Sequence, residues 1–330
     1  MDLLICNSNM FVPIVITTLL EHPNMQYVVC IDQDNIYTFF KEMNFSNAIL
    51  IKYPVKYHIR HYYSFYKIKR NILSQLRKYE ITAIYFYHTE FGEFANWLIT
   101  KYSSCAKIYL SSPYSSLSFA KGLDWQSKKI YLIHRFFFNT RVDVLKTGDY
   151  YIPSISSHFY RKNKIIRMTP IINNSIIADL VKEKYSVLKG KEDIVFMTGT
   201  VVTDDEVEEN VYIEQVNAIV AAVGLNRMLS KCHPRYDNLY GEEKKMRQLP
   251  KYLPLNVLLC MYDIYIGYNS TALVEAAVAG KRAISLLDLI PAKKTLKVKE
   301  YHLYLDLKLN GKGYIFYPTN INELINAIND

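Results

Sequence analysis

Short apolar runs recur along this chain, each separated from the next by a stretch with helical spacing, and the whole pattern occurs twice. In the first half the runs are Leu3–Cys6, Gln26–Ile31, Ala48–Lys52, Ala83–His88 and Lys107–Ser111. Helical spacing covers Val12–Glu21, Ile36–Met43, His61–Tyr79 and Glu93–Tyr102 between them. Strands that are apolar throughout are buried on both faces, and strand–helix–strand order with that burial predicts a parallel sheet flanked by helices. A sixth strand is expected at Tyr150–Pro153, after a helix over Ser127–Phe138.

The rhythm restarts at Asp193–Met197 and continues with strands at Met228–Cys232, Ile264–Tyr268 and Arg282–Leu286. Thr203-Asp204-Asp205-Glu206 reads as the cap and charged first turn of a helix that ends at Gly224. Further helices are expected at Leu255–Met261 and Ala272–Ala279, and over Asn320–Ile328 with Asn320 as cap and Glu323 three residues on. A length of 330 residues suits two domains of about 150 residues each. The expected fold is α/β: two Rossmann-like, doubly wound domains facing a central cleft, covering 1–155 and 193–330. The polar, weakly periodic residues 156–192 form the crossover.

Charge divides along the chain more informatively than its net value of +9. Residues 51–170 carry 20 Lys and Arg against 6 Asp and Glu, whereas the remainder is acidic on balance. Between Lys52 and Arg77 the basic side chains alternate with Tyr57, Tyr62, Tyr63, Phe65 and Tyr66. Such a segment suits an anionic membrane face or an acidic acceptor, and equally the solvated face of a helix whose aromatics turn inward. Five cysteines without CxxC or zinc-like spacing point to a reducing compartment. The start Met1-Asp2 lacks a basic signal-peptide region, and no apolar run reaches the roughly 18 residues of a membrane span. The expected location is the cytoplasm, with peripheral contact at the inner membrane.

Polar residues placed directly after strands are the candidates for chemistry, because ligands of open α/β sheets sit beyond the carboxyl ends of the strands. His233-Pro234-Arg235 follows Met228–Cys232, bringing an imidazole and a guanidinium into a turn stiffened by proline. Asn269-Ser270-Thr271 follows Ile264–Tyr268 and opens a helix of small residues, where free N–H groups and the helix dipole favour an anion. Thr198-Gly199-Thr200 leaves a third strand in the same manner. Each taken alone is an ordinary turn or cap, and their convergence is what suggests a phosphate clamp. No glycine-rich phosphate loop or GxGxxG fingerprint is present, which argues against an NTPase or a dinucleotide enzyme. Asp204-Asp205 reads as helix-start charge rather than as a metal site. A clamp of imidazole, guanidinium and N–H groups suits a monophosphate leaving group, and so a CMP-activated sugar, with no metal or other cofactor.

The segments VFMTGTVVTDDEVEENVYIEQVNAIV (195–220), SKCHPRYD (230–237), LPLNVLL (253–259) and GYNSTALVEAAVAGK (267–281) resemble the bacterial GT-B sialyltransferases. The resemblance is to the lipooligosaccharide sialyltransferase family above all, and more distantly to the capsular polysialyltransferases. It covers roughly the second domain; over the first, the strand–helix rhythm alone agrees. It implies the GT-B arrangement, contact of His233 with the CMP phosphate, and a phosphate-holding role for Ser270 and Thr271. Asn256 stands where the family has a ribose-holding Glu, and its amide still bonds hydroxyls as donor and acceptor. The family's catalytic carboxylate follows a strand of the first domain, where this chain reads Ile108–Tyr114 without an acid. Glu90, one strand earlier in His88-Thr89-Glu90-Phe91-Gly92-Glu93, is the replacement expected here, with His88 second.

The reading that results is an inverting transferase moving sialic acid, or a related nonulosonic acid, from its CMP donor to a glycan or glycolipid acceptor such as lipooligosaccharide or capsule. Glu90 and His233 are the expected catalytic residues, with Thr198, Gly199, Thr200, Pro234, Arg235, Asn256, Asn269, Ser270 and Thr271 completing the donor site. Nucleic acid is not an expected partner, and the pattern leaves room for an oligomer. Transfer of another CMP- or CDP-linked group, such as Kdo or a polyol phosphate, would use the same clamp. A non-catalytic basic protein bound to membrane or nucleic acid would retain it as a vestige.

Overall fold

The computed structural model describes residues 1–6, 9–53, 62–86, 97–98, 101–102, 107–110, 142–147, 150–155, 165–167, 172–233 and 238–329. They fall into two compact units, Met1–Asn174 and Ser175–Asp330. Each is built on a six-stranded, wholly parallel sheet. Both are Rossmann-like, and the two-unit plan is of the GT-B type. Among the described residues no helix is long and apolar enough to cross a membrane.

In the first unit the chain runs β1 (Asp2–Cys6), α1 (Val12–Glu21), β2 (Tyr27–Ile31), α2 (Asp34–Met43), β3 (Ala48–Lys52), α3 (Tyr62–Leu76), β4 (Ala83–Phe86) and β5 (Lys107–Leu110). Every residue of β1 and β2 is buried, as the uninterrupted apolar runs require. Leu3, Ile5, Val28, Cys30, Ile51 and Ile84 form a core face with Ile72 and Leu76 of α3. The strand expected at Tyr150–Pro153 does not join this sheet. It belongs instead to an antiparallel hairpin, β6 (Val142–Thr147) with β7 (Tyr150–Ile155), in which Thr147 pairs with Tyr150. Two intervening residues, Gly148-Asp149, are the length and composition of a tight hairpin connection. The sixth strand of the sheet is β8 (Ile165–Arg167), inside the stretch read as crossover, and it pairs with β5. The helix expected over Ser127–Phe138 lies outside the described residues, as do His88 and Glu90.

After α4 (Asn174–Tyr185) the second unit runs β9 (Ile194–Met197), α5 (Glu209–Val223), β10 (Met228–Lys231), β11 (Arg247–Gln248), α6 (Leu255–Leu259), β12 (Ile264–Gly267), α7 (Thr271–Val278), β13 (Arg282–Ser285), α8 (Thr295–Leu309), β14 (Ile315–Phe316) and α9 (Ile321–Asn329). Gly224, at φ 96°, closes α5 with its N–H on the Val220 carbonyl, 2.9 Å away. Asn320 Oδ1 caps α9 by accepting the Glu323 N–H at 3.0 Å, while Glu323 accepts from the Thr319 N–H at 2.8 Å. Strand order is β11-β10-β9-β12-β13-β14, so the winding direction reverses between β9 and β12.

The acidic run after β9 does not begin a helix. Residues 201–207 form turns, with Asp205 in the left-handed region at φ 58°, and α5 starts at Glu209. The physical reason is that each acid is taken by a partner outside a helical turn. Asp204 accepts from the Thr200 hydroxyl, and Asp205 pairs with Lys293, which also reaches Glu208 at 2.9 Å. Glu206, 8% exposed, accepts from Lys297 Nζ at 2.9 Å, from the Tyr301 hydroxyl and from Asn269 Nδ2 at 3.4 Å, and its carbonyl accepts the Lys293 N–H at 2.8 Å. One carboxylate thus fastens the β9 loop to the β12 loop and to α8. Glu206→Ala leaves the Tyr301 hydroxyl and the Asn269 amide without their acceptor. We expect it to cost about 2 kcal/mol of stability, read as a lower urea midpoint. Asp204→Ala, confined to its own exposed loop, should move that midpoint little.

Candidate functional site

Met197, Lys231 and Gly267, the last residues of β9, β10 and β12, are paired across the sheet in register. The three loops that follow therefore leave the sheet at one level, around the β9/β12 reversal. A reversal of strand order opens a crevice at the carboxyl edge, where ligands of open α/β sheets sit. Thr198, Gly199 and Thr200 leave β9, Cys232 and His233 leave β10, and Asn269, Ser270 and Thr271 leave β12. The structure thus brings these predicted site residues to one edge. Pro234 and Arg235 lie outside the described residues.

The first loop is stiffened from within. Thr198 is buried, with its N–H on the Lys231 carbonyl at 3.1 Å, and the Thr200 hydroxyl is engaged by Asp204. What this loop offers a ligand is therefore backbone more than hydroxyl. At the second loop Lys231 Nζ donates to the carbonyls of Cys232, at 3.2 Å, and Lys251, at 3.0 Å. It pins the residue that precedes His233, and burial draws its own pKa down to about 8.

The third loop is a helix entry. Ser270 has extended dihedrals and caps α7, its Oγ accepting the Ala272 N–H at 3.2 Å, while its carbonyl accepts the Leu273 N–H at 3.0 Å. The Ser270 hydroxyl hydrogen and the Thr271 N–H remain as donors beside the positive end of the helix dipole, which is an arrangement for an oxyanion. Asn269 is oriented by Glu206. Just before it, the Tyr268 hydroxyl is buried without a partner among the described residues, and burial together with the charges of Glu206 and Asp288 pushes its pKa up to about 12.

Asn256 lies on α6, which packs against α7, and its Oδ1 is buried with no hydrogen-bond partner among the described residues. An unpartnered amide oxygen is a place for a ligand hydroxyl to donate. Among the described residues no group of three or more His, Cys, Asp or Glu could hold a metal ion. Reading the sequence missed Lys231, Tyr268 and, in the first unit, Asp32, which directly follows β2. The signal was available, since a polar residue closing or following an apolar strand marks the carboxyl edge.

No protein-family model matches the sequence, and no curated protein matches it. Solved structures do. A UDP-GlcNAc 2-epimerase from Methanocaldococcus jannaschii superposes with a TM-score of 0.51 at 13% identity, covering 100% of this chain and 92% of that one. A UDP-GlcNAc 2-epimerase from Neisseria meningitidis bound to UDP-GlcNAc gives 0.47 at 10% identity, covering 99% and 90%. An E. coli heptosyltransferase with ADP-2-deoxy-2-fluoro heptose gives 0.43 at 14%, covering 86% and 88%. The likeness to the archaeal epimerase is one of fold, and it extends over both units of the chain.

Proposed function

We propose that the chain is a glycosyltransferase using a nucleotide-activated sugar, and that the sugar is sialic acid or a related nonulosonic acid carried on CMP. The observation that carries this reading is the level exit of three loops at the β9/β12 reversal, one of them a capped helix N-terminus with donors to spare. His233 and the Thr271 N–H would face the phosphate of CMP and take up the charge that develops as it departs, the logic of an oxyanion hole. Ser270 would donate its hydroxyl hydrogen to the same phosphate. Asn256 Oδ1 would accept from a ribose hydroxyl in place of the carboxylate that the resembled family uses.

The first unit would bind the acceptor, a cell-surface glycan or glycolipid. Its α3 presents Tyr66, Lys67, Arg70, Arg77 and Lys78 as exposed residues on and just beyond the helix, with no acidic residue between Tyr62 and Tyr79. Such a face suits an anionic acceptor or the headgroups of the cytoplasmic leaflet. A UDP-linked donor is the competing reading, and its support is the fold shared with a protein named for UDP-GlcNAc.

Thermal-shift measurements with CMP, CDP, UDP and UMP separate the two. CMP at a hundredfold excess over its dissociation constant should stabilise the chain by about 2.7 kcal/mol. A larger shift with UDP would transfer the proposal to UDP-sugars. His233→Ala should slow release of CMP from CMP-sialic acid by roughly two orders of magnitude or more, the scale for removing a charge-stabilising group. Release at the wild-type rate would remove His233 from the site.

A further inference from the structure

Helix α8 is apolar on two opposite sides. Its leucines alternate with other residues through Leu303, Leu305, Leu307 and Leu309. A period of two wound on a helix of 3.6 residues per turn sends apolar side chains both inward and outward. The inner side is settled by the fold. Leu305 and Leu309 are buried, and α8 packs against α7. Lys297 Nζ and the Tyr301 hydroxyl donate to Glu206, and His302 Nε2 lies 2.7 Å from Asp288 Oδ1. These five side chains fix the rotation of the helix about its own axis, so what remains outside cannot turn in.

Outside lie Leu296, Leu303 and Leu307, exposed by 69%, 56% and 41%. Their spacing of seven and then four residues puts them in a single stripe, about 16 Å long at 1.5 Å of rise per residue. Among the described residues of the second unit six large apolar side chains are exposed, and three of them make this stripe, so it is a patch and not scatter. Lys299 and Asp306 are also seven residues apart and therefore share one edge of it. Both are exposed, and neither is in an ion pair among the described residues.

We propose that this stripe docks a second copy of the chain, the two α8 helices lying antiparallel about a two-fold axis perpendicular to the pair. Such a contact requires a surface that complements itself, residue i meeting residue j and j meeting i. The outer side of α8 does so. An axis level with the midpoint of His302 and Leu303 sets Lys299 level with the partner's Asp306, and Asp306 level with the partner's Lys299. Because the axis keeps each edge of the stripe against the same edge of its mate, both ion pairs form. Leu303 then meets the partner's Leu303, and Leu296 lies about 3 Å along the helix from the partner's Leu307, near enough to interdigitate. A lipid surface is the other occupant that exposed leucines suit, and the charges argue against it. Glu300 and Asp306 are both exposed beside the stripe, where an anionic leaflet repels them. A single helix pair falls short of the roughly 800 Å² per partner of a tight interface, so the dimer forms at micromolar concentrations.

Sedimentation of the full chain from about 1 to about 200 μM, a range that brackets micromolar association, tests this. The wild type should pass from monomer to dimer across it. Leu303→Glu sets two carboxylates against each other at the axis and should raise the dissociation constant at least about a hundredfold. Its thermal midpoint at the dilute end should match wild type, since the side chain is exposed. A wild type that stays monomeric at the highest concentration would overturn the proposal, and so would a dimer that Leu303→Glu leaves intact.

Charge exchange tests the antiparallel pairing. Lys299→Glu and Asp306→Lys should each weaken the dimer about tenfold. The double variant should recover wild-type association, because each pair re-forms with its signs exchanged. A double variant no tighter than the single ones would overturn the arrangement. Flotation with vesicles of anionic phospholipid covers the remaining outcome. Vesicle binding that Leu303→Glu abolishes, by a chain monomeric at every concentration, would give the stripe to a membrane instead.

Discussion

Glu206 holds the carboxyl edge of the second unit together. Its carboxylate is buried and takes hydrogen bonds from a loop after one strand, Asn269, and from two residues of one helix, Lys297 and Tyr301. A buried carboxylate is stable when its lone pairs are filled and costly when they are not. The β9 loop that carries it is therefore drawn to the one position where all three donors can be reached. That placement ties Asn269, and through it the entry to α7, to the loop that follows β9. The in-register ends of β9, β10 and β12 supply the rest of the alignment, and Lys231 adds the pin before His233.

The two units treat their polar groups differently at the corresponding edge. In the second, acids are matched: Asp205 with Lys293, Glu206 with Lys297, and Asp204 with the hydroxyl of Thr200. The groups left over there are donors and neutral acceptors, namely the Thr271 N–H, the Ser270 hydroxyl hydrogen and Asn256 Oδ1, which suit a phosphate and a ribose. In the first, Asp32 is left with one carboxylate oxygen unmatched among the described residues. An edge of satisfied charges with free donors can hold a leaving group.

Much of this was legible in the sequence, for reasons that particular residues make plain. Strands buried on both faces declare themselves as unbroken apolar runs, so Tyr27–Ile31 and Ile264–Gly267 could be read directly. The cap at Asn320 and the stop at Gly224 are local chemistry and were equally readable. The run Thr203–Glu206 has the composition of a helix start, but Asp205 and Glu206 are claimed by Lys293, Lys297 and Tyr301, which lie about ninety residues away and leave no local trace. Helix α8 is hidden in the sequence because Leu303, Leu305, Leu307 and Leu309 alternate with polar residues like a strand. The structure buries Leu305 and Leu309, four apart, and leaves Leu303 and Leu307 exposed. The strand expected at Tyr150–Pro153 was a true strand assigned to the wrong partner, since pairing is a tertiary choice that the Gly148-Asp149 connection only hints at.

The central claim is that the carboxyl edge around the β9/β12 reversal is a nucleotide site, and backbone amide spectra of the labelled chain titrated with CMP test it most directly. The account predicts that the largest shifts fall on Thr198–Thr200, on Cys232 and His233, and on Asn269–Leu273, with the amides of Asp263 and Lys281 at the amino edge of the same sheet unmoved. Shifts that cluster instead on the 610 Å³ cavity at that opposite edge, lined by Gly280, Arg282, Gly313 and Tyr314 among others, would contradict it.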